Sequence, residues 1–178
     1  MANQRNRKLD MKLDEIRELM ETGEFQKAID QLQALLRDGV PDHERARVGC
    51  LLGQCQYYLN QPEDAKRILL KAKEDLRYTS LPSVHLEVAL YLAKVSYLES
   101  DNTRAFSYLV EKQVLLDAWQ NQKHAARFAY YLYTKASILD ALGEYASARI
   151  AILNAFDVLE KYPPEGELNE LLSRLWLL

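Results

Sequence analysis

The sequence predicts an all-α fold, on three observations. Leucine and alanine account for 31 and 19 of its 178 residues, while glycine and proline together account for only 11, about half the usual share of roughly 12%. Threonine, valine and isoleucine total 18, too little β-branched material for a sandwich, a barrel or a parallel sheet. The third observation is a layout that recurs four times: a short polar turn, then a helix whose first inward residue is alanine, then a branched aliphatic four residues on. The copies are Gly23-Glu24-Phe25-Gln26-Lys27-Ala28 with Leu32, Asn60-Gln61-Pro62-Glu63-Asp64-Ala65 with Leu69, Ser100-Asp101-Asn102-Thr103-Arg104-Ala105 with Leu109, and Gly143-Glu144-Tyr145-Ala146-Ser147-Ala148 with Ile152. Their alanines stand 37, 40 and 43 residues apart.

Each alanine follows a second helical pattern that ends at the turn, so the chain reads as antiparallel helix pairs forming one domain over 1–178. The first pair covers about 8–22 and 24–38, with Gly23 closing its first helix. The second covers 42–59 and 62–78, where Val48, Leu52, Cys55 and Leu59 make one stripe and Leu52-Gly53 marks a close helix approach. In the third, 82–99 and 102–118, Val88, Leu92 and Val95 make the stripe and Ala89, Ala93 and Ser96 the small contacts, with Asp101 capping the second helix. The fourth, 122–142 and 144–161, uses Leu132, Ala136 and Leu139, and Gly143 closes its first helix. Pro41, Pro62 and Pro82 stand at helix starts, where a missing N–H is harmless. A last short helix is expected over 165–178, after Pro163-Pro164.

This layout resembles the tetratricopeptide repeat family. The residues that carry the likeness are Leu52-Gly53 with Ala65 and Ala72, Gly143-x-Tyr145-x-x-Ala148 with Ala155, and Gly23-x-Phe25-x-x-Ala28. Units of about 40 residues replace the family's usual length of about 34. Pro62 and Asn102 stand where an aromatic is usual, and Lys112 where a small residue is expected. The resemblance implies a right-handed superhelical solenoid of about four hairpins plus a C-terminal helix. It also implies a protein or peptide partner held on the concave face lined by the first helix of each pair.

The exposed stripe of those first helices follows from spacing. One step round from the packing stripe come Arg47, Cys50, Gln54 and Tyr57, then Glu87, Leu90, Lys94 and Tyr97, then Tyr130, Tyr133, Ser137 and Asp140. Arg47, Gln54, Tyr57, Lys94, Tyr97, Tyr130, Tyr133 and Ser137 are the candidate binding residues. Tyrosines offer rigid contact area with a polar tip, Gln54 can pair with an extended backbone, and Arg47 and Lys94 can receive a carboxylate. The family's carboxylate-clamp members use lysines and asparagines there, and Lys94 with Gln54 does not reproduce that set. Tyr91, Tyr108 and Tyr131 are expected in packing.

The last helix carries Leu168, Leu171, Leu172, Leu175 and Trp176. It reads as a cap over the final apolar face, or as the first helix of an interrupted fifth unit. In the second case the sequence is expected to be a piece of a longer array, or Leu172, Leu175 and Trp176 make an oligomer contact, as a homodimer or within a larger complex.

A net charge of −3 and a pI of about 5.7 argue against an autonomous nucleic-acid or anionic-membrane binder. No apolar run approaches the roughly 20 residues of a membrane span, and the polar start Met1–Lys8 does not read as a signal peptide, so a cytoplasmic protein is expected. His43, His85 and His124 fall in separate units, Cys50 and Cys55 lie on different helical faces, and no phosphate loop, nucleophile elbow or metal-ligand motif occurs. The expectation is a non-enzymatic interaction module with no cofactor or metal. A structural subunit assembling through the C-terminal helix is the alternative, and the sensor domain of a peptide-responsive regulator rests on the resemblance alone.

Overall fold

One turn geometry closes four helices in the computed structural model, which describes residues 2–163. At each turn one residue adopts positive φ: Gly23 (77°), Asn60 (57°), Ser100 (61°) and Gly143 (80°). The amide after it reaches back five residues, as Glu24 N to Leu19 O, Gln61 N to Gln56 O, Asp101 N to Ser96 O and Glu144 N to Leu139 O, at 2.8, 2.9, 2.9 and 2.9 Å. The positive-φ residue itself donates to the carbonyl three back, at 3.2, 3.0, 3.0 and 2.9 Å. This paired satisfaction of orphan carbonyls is the Schellman closure. Five residues after each positive-φ residue come Ala28, Ala65, Ala105 and Ala148, each buried.

The helices are α1 (Ala2–Glu21), α2 (Phe25–Arg37), α3 (Asp42–Tyr58), α4 (Pro62–Asp75), α5 (Pro82–Leu98), α6 (Asn102–Glu111), α7 (Ala125–Ala141) and α8 (Tyr145–Lys161). No strand occurs among the described residues. Helix α1 begins at Ala2, before the expected start at 8. Asp101 caps α6, its carboxylate accepting from Arg104 N at 3.1 Å. The predicted helix 165–178, with Leu172, Leu175 and Trp176, lies outside the described residues.

The described chain falls into two compact units divided after Val84. In the first, Leu13 and Ile16 of α1, Ile29 and Leu32 of α2, and Val48 and Leu52 of α3 form one core. Helices α3 and α4 cross closely at Gly49 and Gly53. A Cβ at Gly53 would stand 2.5 Å from Leu69 Cγ. In the second, Leu86 and Leu90 of α5, Ala105 and Leu109 of α6, Ala129 and Leu132 of α7, and Ala155 and Leu159 of α8 form the other core.

Helix α6 departs from the expected 102–118. It ends at Glu111, and a 3-10 segment runs from Gln113 to Trp119. The position seven residues after the marker alanine is buried in the other second helices, as Leu35, Ala72 and Ala155. Here it is Lys112, whose ammonium pairs with Glu111 at 3.0 Å instead of entering the core. The tighter segment brings Trp119 into the core, fully buried and edge-on to Tyr131 at 6.3 Å. Ending α6 early frees the Leu109 carbonyl, and Tyr131 Oη donates to it at 2.9 Å.

Candidate functional site

Two cross-helix ties join α5 to α7 in the second unit. Arg127 Nη1 meets Glu87 Oε1 at 2.7 Å. Further along, Lys94 Nζ donates to Tyr130 Oη at 2.7 Å. The same ammonium lies 4.5 Å from the Tyr91 ring centroid and 4.6 Å from that of Tyr130. Lys94 is only 5% exposed, so its charge is stabilised by a phenol oxygen and aromatic faces in place of bulk water.

Burial of Lys94 departs from the expected exposed stripe, as does that of Gln54, whose Nε2 contacts Cys50 Sγ at 3.3 Å. Cys50 and Leu90 are buried as well. The cause is packing on more than one side: residues 50–55 of α3 and 88–96 of α5 are buried without a break, so an exposed stripe cannot be read one step round from a packing stripe. The signal was in the sequence. From Val88 to Tyr97 the only charge is Lys94, and a helix apolar all round is a buried one.

Arg47 takes another role. It bridges α1 and α3, bonding Asp10 and Glu44 at 2.8 Å each. Burial opposes its charge, but the hydrogen bonds and charges of Asp10 and Glu44 outweigh that and hold the guanidinium above its ordinary range. Its carboxylate partners are therefore internal to the unit. Tyr57 is half-buried and edge-on to Tyr58 at 5.4 Å. Phe25 of α2 stacks on Tyr58 at 5.0 Å.

Three of the predicted tyrosines stand on α5 and α7. Tyr130 and Tyr133 stack at 6.3 Å with their planes 15° apart, both half-buried. Tyr97, one turn beyond Lys94, is 38% exposed. Ser137 turns inward along α7, donating to Tyr133 O at 3.2 Å, and so offers little to a ligand. Tyr91 and Tyr131 are buried and Tyr108 is half-buried against the core, the packing role expected of them. Among the described residues no three of His, Cys, Asp and Glu cluster as metal ligands. No helix among them is long and apolar enough to cross a membrane.

The crystal structure of MamA, a tetratricopeptide-like helical protein, matches this fold with a TM-score of 0.57 and 19% identity, over 79% of this chain and 72% of that one. No family model and no curated protein matches the sequence. At that identity the likeness is one of fold, a tetratricopeptide-like array of helix pairs.

Proposed function

We propose that the protein is a non-enzymatic interaction module whose α5–α7 face holds an extended peptide or a helix of another protein. The observation that carries this reading is the stacked pair Tyr130 and Tyr133, anchored through Tyr130 to the buried cation of Lys94. A stacked pair tied at one end loses little side-chain freedom when a ligand covers it, which favours binding. Tyr97 adds exposed aromatic area on the neighbouring helix. The ammonium of Lys94, kept from bulk water, biases the face toward ligands that present carbonyl or carboxylate oxygens. Such binding is an equilibrium with no covalent step.

Selection of a random peptide library on the wild-type protein, followed by titration of the enriched peptides, tests the reading. The variant is Tyr97→Ala/Tyr133→Ala, which removes exposed and half-buried rings and leaves Lys94 and Tyr130 in place. Affinity is expected to fall at least about tenfold, the loss typical of an aromatic anchor, with helicity unchanged and melting lowered only by the loss of the half-buried Tyr133 ring. Enriched peptides that bind the variant as they bind the wild type would remove this face as the site.

A further inference from the structure

A groove of about 210 Å³ opens in the first unit between α1 and the connection from α2 to α3. Leu9, Leu35 and Val40 line its floor, each 8–9% exposed. Lys8 and Lys12, four residues apart on α1, and Asp38 line it with exposed charge. Among the described residues neither lysine belongs to an ion pair, so two positive charges stand beside an apolar floor. A fitting ligand carries carboxylates interleaved with apolar side chains, and a cation for Asp38.

The chain itself contains such a sequence. Residues 165–178 place Glu165, Glu167 and Glu170 among Leu168, Leu171 and Leu172, with Arg174 following. We propose that this segment from a second copy occupies the groove, with Glu167 and Glu170 against Lys8 and Lys12, the neighbouring leucines on the apolar floor and Arg174 toward Asp38. Occupancy by another copy makes the contact depend on protein concentration, whereas occupancy within one chain would leave the mass constant. Groove and segment are different surfaces, so the contact is heterologous and propagates into chains or rings. Exposed charges at the groove make the association weaken with added salt. The proposal is independent of the α5–α7 face.

Light scattering and sedimentation of the full chain test it. The wild-type weight-average mass should rise with concentration and fall back with salt. Lys8→Glu/Lys12→Glu and Glu167→Lys/Glu170→Lys should each weaken self-association at least about tenfold, since two attractions become two repulsions. Circular dichroism checks that each variant is folded; Lys8 and Lys12 are exposed and lie outside the first core. Mixing the two variants in equal amounts restores opposite charges across the contact, and the mass should rise again. A wild type that stays monomeric at its highest soluble concentration, variants that associate as the wild type does, or a mixture that stays monomeric would each overturn the proposal.

Discussion

Gly53→Ala should destabilise the first unit, although alanine is the better helix former. An alanine in place of a helical glycine gains up to about 1 kcal/mol of propensity. At this position the added methyl would stand 2.5 Å from Leu69 Cγ and 2.7 Å from Leu69 Cδ2. Leu69 is fully buried, so its side chain has nowhere to move without displacing α4 from α3. Overpacking of this kind costs about 1–3 kcal/mol, and a contact this short belongs at the upper end. The net expectation is a loss of about 2 kcal/mol, or a fall of about 4–8 °C in Tm for a chain of this size. Gly49→Ala, one turn earlier, is the internal control. Its methyl would meet Ala72 Cβ at 3.2 Å, a contact the helices can relieve by a few tenths of an ångström, so propensity leaves it neutral or slightly more stable. Urea unfolding followed by far-UV circular dichroism compares the two. Adding Leu69→Ala should cost less in the Gly53→Ala background than in the wild type, because it removes the clash. A Gly53→Ala protein as stable as the Gly49→Ala protein would refute the close approach.

Ser100 takes positive φ without being glycine; Ser100→Gly should raise stability by about 0.5–1 kcal/mol after the glycine's own chain entropy is set against the relieved strain, and Asn60→Gly by less, since asparagine tolerates that region. Tm values by thermal melts check both. Tyr131→Phe removes the buried bond to the Leu109 carbonyl and should cost about 1–2 kcal/mol in urea unfolding. Burial pushes the Tyr131 phenol up to about 12 from 10, and the Cys55 thiol up to about 12 from 9. The folded state therefore keeps protons that the unfolded chain releases, so stability should be flat with respect to these groups below pH 9 and fall as pH rises toward 12. Unfolding measured across that window should show a shallower decline above pH 10 in Tyr131→Phe. Cys50 and Cys55 are 1% and 0% exposed; a thiol reagent should label both only as fast as the protein opens, and immediate labelling of the native state would contradict their burial.

The helix pairs were legible because their punctuation is local. Gly23 and Gly143 favour the positive φ that a Schellman closure demands, and a buried alanine five residues on follows from the same turn. Asn60 and Ser100 were legible only by register with those glycines, since serine carries no such preference. The break in α6 was half visible: Lys112 stood out where a small residue was expected, but the sequence pattern does not say that the chain answers by tightening and burying Trp119. The candidate site was less legible. A spacing argument identifies which residues share a helical face and leaves open how many neighbours cover the faces beside it, so Tyr97, Tyr130 and Tyr133 remain accessible while Gln54 and Lys94 do not. The internal pairing of Arg47 was not legible for a related reason, because one of its partners, Asp10, is 37 residues away on α1.

Burial of Lys94 changes what the residue can do for binding. On an exposed helix its ammonium would be a mobile, hydrated charge worth little to a ligand. Held between Tyr91 and Tyr130 and bonded to the Tyr130 hydroxyl, it becomes part of the scaffold. On the proposed face, a core lysine that anchors a half-exposed tyrosine couples stability to binding, since truncating Lys94 removes the support of Tyr130 and leaves its hydroxyl to find another donor. Tyr133 stacks on Tyr130 and shares part of that coupling, whereas Tyr97 is exposed. On the proposed face, Tyr97 is therefore the ring whose truncation disturbs the fold least. This gradation on the proposed face, from Lys94 and Tyr130 inside to Tyr97 outside, follows from one buried cation near the C-terminal end of α5.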